Sequence, residues 1–132
     1  MAPGAFAPNA LHNAIGAAES GNRDYTESGA PVTSPKGARF GMQVMPSTAR
    51  DPGFGLRPAN PDDPADMNRL GREYADKMLE LAGGDHAKAA AAYNAGPGRL
   101  NKATRHGGAW LDYMPAETRA YVPRVLNRLR SR

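Results

Sequence analysis

Residues 65–82 read Ala-Asp-Met-Asn-Arg-Leu-Gly-Arg-Glu-Tyr-Ala-Asp-Lys-Met-Leu-Glu-Leu-Ala, and Met67, Leu70, Tyr74, Met78 and Leu81 step through them by three or four. That spacing lines the five up on one face of an α-helix, and Gly83-Gly84 closes it. Towards the C-terminus, Asp85 can cap a second helix, in which the small residues from Ala87 to Ala92 allow close packing. Gly96-Pro97 ends that helix abruptly. A short helix around Arg99–Ala103 and a last one over Ala116–Arg130, kinked by Pro123, complete this half.

Towards the N-terminus the chain is mostly irregular. Residues 51–64 carry Pro52, Pro58, Pro61 and Pro64 with two glycines, which suits a functional loop or a surface wrap. Pro46 opens a short helix to Arg50, preceded by an apolar stretch from Gly41 to Met45. Asn22 to Lys36 is rich in Gly, Pro, Ser and Thr and reads as a long loop. Before it, Asn9 is the expected N-cap of a helix carrying Leu11, Ile15 and Ala18, which stops at Gly21. No segment has the alternation of a strand. The expectation is an all-α fold of six or seven helices with long polar loops, one domain over residues 1–132.

Composition narrows the function classes. At 132 residues the chain can bury a core without staples, and no apolar run approaches the ~18 residues of a membrane span. Zero cysteines exclude disulfides, thiolate metal sites and a cysteine nucleophile. His12, His86 and His106 are isolated in sequence, without a ligand-type partner three or four residues on, so no metal or other cofactor is expected. The net charge is +4 with a pI near 9.7. From Arg99 onward eight Lys and Arg face only Asp112 and Glu117. Such a surface favours a polyanion (nucleic acid, anionic membrane or bacterial wall polymer) or is simply a solvated tail.

Among the 13 carboxylates, Glu19 stands apart. It falls in the last turn of its helix, beside Ala17 and Ala18 and just before a Ser-Gly-Asn turn, where apolar neighbours can cover the carboxyl while its oxygens face a cleft. Desolvation raises a carboxyl pKa, as a glycosidic general acid requires.

Four motifs give this position its meaning. Glu19-Ser20, then Ser34-Pro35-Lys36-Gly37-Ala38 with Met42-Gln43-Val44-Met45-Pro46-Ser47-Thr48-Ala49, resemble the opening motif pair of the soluble lytic transglycosylases of the lysozyme superfamily. Ala92-Tyr93-Asn94-Ala95-Gly96-Pro97-Gly98 resembles their third motif, and Pro115-Ala116-Glu117-Thr118-Arg119-Ala120-Tyr121-Val122 their fourth. The resemblance covers Ile15 to about Leu126. It implies a lysozyme-like helical domain whose long loops line a glycan cleft. It makes Glu19 the catalytic acid and base, and it assigns Ser34, Gln43, Met45, Tyr93, Asn94, Glu117 and Tyr121 to substrate binding. The implied activity is cleavage of the bond between N-acetylmuramic acid and N-acetylglucosamine in peptidoglycan, with a 1,6-anhydro ring on the muramic end.

Two departures from the family pattern stand out. Phe40 occupies a position normally held by glycine, so the backbone leading to the cleft is expected to differ there. About six residues are added between Glu19 and Ser34, among them Asp24 and Glu27. Either could position a water, which would make the chain a hydrolytic muramidase like the goose-type lysozymes. Readings from another class are an inactive wall-binding module or a basic helical nucleic-acid-binding module. The enzyme reading takes peptidoglycan strands as partner, with no nucleic acid, no membrane insertion and a monomeric state. The site of action it implies is the periplasm or cell wall. Residues 1–8 lack the pattern of a secretory signal, and Asp51-Pro52-Gly53-Phe54-Gly55 looks like phage-borne relatives. A virion-associated enzyme, or one released at host lysis, is therefore the expected setting.

Overall fold

A computed structural model describes Phe6, Ala7 and residues 9–130. Its elements are α1 (Ala10–Ser20), α2 (Pro46–Arg50), α3 (Pro64–Leu81), α4 (His86–Ala95), α5 (Pro97–Thr104), a 3-10 helix over Gly107–Tyr113, and α6 (Ala116–Arg130). Extended chain among the described residues is limited to isolated bridges, Tyr25 with Pro31, Thr33 with Arg39, and Arg39 with Val44.

Local chemistry explains the boundaries. Pro64 opens α3, and the Asp63 carboxylate accepts from the free amides of Ala65 and Asp66. Asp85 caps α4 through the Lys88 amide. Gly21, left-handed at φ 69°, ends α1 with amide bonds from Gly21 to Ala17 and from Asn22 to Gly16. Asn9 sits at the N-cap of α1 but its side chain makes no capping bond; its carbonyl instead accepts from the Asn13 amide. Leu81, expected on the apolar stripe of α3, is 58% exposed, because it is the last residue of the helix and no element covers it. The 3-10 helix, invisible in the sequence pattern, brings Trp110 and Leu111 against the core.

The core sits around α4. Ala89, Ala90, Ala91 and Ala92 are all buried, and side chains this small let α3, α5 and α6 close in on every side. Helix α1 packs across α6 and α3, contributing Leu11 and Ile15 to the same core as Met67, Leu70, Met78, Val122 and Val125. Pro123 lies within α6 and is exposed. No helix among the described residues is long and apolar enough to cross a membrane.

The irregular stretch 22–62 is tied down at defined points. Arg69 of α3 donates to the carbonyls of Arg57 and Pro58 while pairing with Asp66 and Glu73. Arg39 binds the Pro61 carbonyl and Asp62. The Ala59 amide reaches back to Ala49. Long as it is, this loop has fixed anchors on both the helices and itself.

Candidate active site

A cleft of about 260 Å³ runs between the helices and this loop, lined by Glu19, Ser34, Lys36, Ala38, Gln43, Val44, Met45, Thr48, Leu70, Tyr74, Tyr93, Asn94 and Glu117. Six of the seven residues expected to bind substrate are here. Tyr121 is the exception: it is 1% exposed and lies off the lining. Six lining residues that received no site role from the sequence, Lys36, Ala38, Val44, Thr48, Leu70 and Tyr74, complete the walls. Lys36 and Thr48 fall inside the quoted motifs, so their place in the pattern was the available signal.

Glu19 comes to the cleft because α1 ends one residue later. The carboxyl is half-buried, and its pKa is pushed up to about 7, chiefly because burial strips water from the charged form. The Tyr121 hydroxyl and the Arg124 guanidinium pull it back in part, and the Glu117 carboxylate pushes it further up. The Tyr121 hydroxyl is itself buried beside the Glu19 carboxyl. Burial and the neighbouring Glu19 charge hold the phenols of Tyr93 and Tyr121 well above the ordinary tyrosine range. Both phenols therefore stay protonated near neutral pH.

The loop wall depends on one dipeptide. Gly41 and Met42 lie in the turn just before Gln43, and all four of their backbone polar groups are bound by side chains. Ser20 Oγ donates to the Gly41 carbonyl at 2.7 Å, and Asp24 Oδ1 accepts from the Gly41 amide at 2.9 Å. Asn68 Oδ1 accepts from the Met42 amide at 3.0 Å, and Tyr93 donates to the Met42 carbonyl at 2.7 Å. A further bond from Asn68 Nδ2 to Asp24 Oδ1 at 2.7 Å closes the ring. Buried backbone groups need such partners, and here three helices and one loop supply them. Tyr93 is thus a positioning residue as well as a wall of the cleft.

Two residues flank that dipeptide in left-handed backbone. Phe40, at φ 64°, lies in the left-handed region that favours glycine. Burial of the ring, 2% exposed and edge-on to Tyr25, offsets the strain. Gln43, at φ 54°, spends both amide hydrogens on the carbonyls of Val32 and Phe40. Its Oε1 is left as an acceptor on the cleft wall.

The remaining groups are fixed in similar ways. Ser34 Oγ accepts from the Ala38 amide, within a tight turn closed by the Ser34 and Gly37 amides. Met45 precedes α2 as its N-cap residue. Asn94 joins α4 to α6, accepting from Thr118 Oγ1 at 2.8 Å and donating to Glu117 Oε1 at 3.4 Å. The carboxylates proposed for a hydrolytic mechanism are not in the cleft. Asp24 is held in the ring around Gly41 and opens onto a separate polar pocket with His12, Asn13, Asn22, Asn68 and Arg72. Glu27 is exposed on the loop and off the lining. Glu117, the other carboxylate on the cleft, is exposed and bound to Asn94.

Comparison with known proteins adds three findings. The model of the transglycosylase SLT domain matches residues 7–112. The chain is 37% identical over 109 residues to the soluble lytic murein transglycosylase of Escherichia coli K12, and 37% identical over 114 residues to that of Salmonella typhimurium. Each match covers 72% of this chain but only 17% of the relative. Among solved structures, the 70 kDa soluble lytic transglycosylase of Escherichia coli superposes with a TM-score of 0.72 at 30% identity, over 91% of this chain and 21% of that one. The lytic transglycosylase Slt of Pseudomonas aeruginosa, solved as an inactive glutamate-to-glutamine mutant, gives 0.73 at 30% identity, over 91% and 20%.

Proposed function

The chain belongs to the transglycosylase SLT domain family, and from that premise we propose that it is a peptidoglycan lytic transglycosylase with Glu19 as its catalytic residue. It cleaves the bond between N-acetylmuramic acid and N-acetylglucosamine and leaves a 1,6-anhydro muramic end. The observation that carries this reading is a single desolvated carboxyl, held at about pKa 7 on a cleft, with Asp24 and Glu27 both elsewhere. The Pseudomonas relative is inactive as a glutamate-to-glutamine mutant, which agrees with a mechanism that rests on one glutamate.

At neutral pH about half of the Glu19 groups carry the proton. The protonated form donates to the glycosidic oxygen as the bond to muramic C1 breaks. The carboxylate so formed takes the proton of the muramic C6 hydroxyl as its oxygen closes on C1. Acid and base are one residue, no water enters, and the group ends protonated for the next cycle. Gln43 Oε1, Ser34 and Asn94 orient sugar hydroxyls and acetamido groups. Tyr121 and Arg124 limit how far the acid's pKa rises, and Glu117 opposes them. The substrate sets the site of action at the murein of the cell wall. The likeness of residues 51–55 to phage-borne relatives supports delivery by a virion or at lysis.

Digestion of purified sacculi followed by mass spectrometry of the muropeptides tests the reaction. Anhydro ends, one water lighter than hydrolytic products, are expected. Reducing ends as the main product would replace this reading with a muramidase.

A further inference from the structure

The cleft does not end at Tyr93. Tyr74 of α3 lies edge-on to Tyr93 with ring centroids 5.8 Å apart, and Phe54 lies edge-on to Tyr74 at 5.9 Å. The three rings form a row from Tyr93, close to Glu19, past Tyr74 on the cleft wall to Phe54, which stands just off the lining. Phe54, 45% exposed, is its outermost member. Gly53, Phe54 and Gly55 are three successive left-handed residues, at φ 71°, 56° and 73°. For a bulky residue such as phenylalanine that conformation is strained. At Phe40 the strain is offset by burying the ring; at Phe54 it lifts the ring into solvent. The loop beneath is held, with Pro52 buried, the Leu56 amide on the Gly53 carbonyl, and the Ala59 amide on the Ala49 carbonyl. A strained but well-anchored turn that displays an aromatic ring has the form of a ligand clamp.

We propose that Phe54 and Tyr74 form an outer sugar-binding platform that holds the glycan strand at least one unit away from the scissile bond. The proposal rests on the reading of the cleft as a glycan site. A pyranose ring presents a face of C–H groups, which packs well on the electron-rich face of an aromatic ring. The row is continuous with the cleft, so the occupant is the same strand and not a second ligand. The consequence is selection by length: long strands reach the platform and short fragments do not.

Peptide-free oligomers of N-acetylglucosamine, two to six units long, are the probe. Binding is measured to the Glu19→Gln chain and to the same chain with Phe54→Ala or Phe54→Trp. Phe54→Ala should weaken the longest oligomers about five- to tenfold, the scale of one aromatic contact, and leave the shortest unchanged. Phe54→Trp should restore affinity, and its fluorescence should shift only with oligomers long enough to reach it. Equal affinities with and without the ring at every length would overturn the platform, as would an equal loss at every length. Muropeptides of the same glycan lengths are measured alongside, and a loss confined to them would assign the ring to the stem peptide and also overturn the platform. Lysis of murein by the parent separates the two readings. A parent that lyses murein while Phe54→Ala binds every length normally loses the platform alone. A parent that neither lyses murein nor binds any oligomer loses both.

Discussion

On one side of the cleft stand α1, α4 and α6, whose residues Glu19, Tyr93, Asn94 and Glu117 project from ordinary helical backbone. On the other runs irregular chain from Ser34 to Met45, with Phe40 and Gln43 in left-handed conformations. The helical wall sets chemistry through burial: it desolvates one carboxyl and leaves the proton where it is needed. The loop wall sets geometry through hydrogen bonds, and it holds its shape because Ser20, Asp24, Asn68 and Tyr93 hold Gly41 and Met42. Damage to the first wall should therefore appear in rate and pH profile, and damage to the second in stability and binding.

The largest effect belongs to the helical wall. Glu19→Gln should lower the rate of murein lysis by about 10²–10⁴, the usual contribution of a positioned acid, with an unchanged circular dichroism spectrum. The same variant reports on the pKa. A carboxyl whose folded pKa is raised stabilises the fold fully below its unfolded value, and that contribution is lost as pH rises through about 7. Denaturant titrations of parent and variant should therefore diverge between about pH 4.5 and 7. By pH 8 the variant should have gained up to about 3 kcal/mol relative to the parent. A constant difference across that range would mean that Glu19 is not desolvated.

In the loop wall, Phe40→Ala should cost about 3 kcal/mol in urea unfolding, since it empties a buried ring site and leaves the left-handed backbone in place. Asp24→Ala should cost about 1–3 kcal/mol by orphaning the Gly41 amide and freeing Asn68. Its products should stay anhydro, whereas a switch in product chemistry would return Asp24 to the mechanism. The smallest effects sharpen the comparison from the other side. Arg124→Gln should move the alkaline limb of kcat/KM to higher pH and Glu117→Gln should move it to lower pH, because the two charges act on Glu19 with opposite sign. Shifts of the same sign in both variants would show that the limb does not report on Glu19.

The two walls were also unequally legible in the sequence. Helices α2, α3, α4 and α6 follow from spacing, caps and proline positions, and fall within a residue or two of where those signals place them. The 3-10 helix gave no such signal, because Gly107-Gly108-Ala109 reads as loop and only Trp110 and Leu111 find the core. Glu19 was marked by its place at a helix end before a glycine, and motif order supplied the other cleft residues. The ring around Gly41 and Met42 could not be read, because its partners lie 17 to 51 residues away along the chain. For the same reason the burial of Tyr121 could not be read: one helix face carries it and Glu117, but depth is set by packing against α1 and α4.

Gly71, in the middle of α3, gives the two walls a shared constraint. A Cβ there would collide with the Met42 side chain and crowd the Tyr93 hydroxyl, so the bare backbone is what lets the loop settle against the helix. Elsewhere in a helix, glycine is a small handicap that alanine readily relieves. At position 71 the usual preference is reversed, since even one methyl would wedge the walls apart at the residue both of them share. Changes of sequence are thereby sorted by location. The outer turn at 26–30, exposed and off the cleft lining, is free to exchange residues. The seam at Gly71 must stay bare for any of those variants to keep a cleft at all.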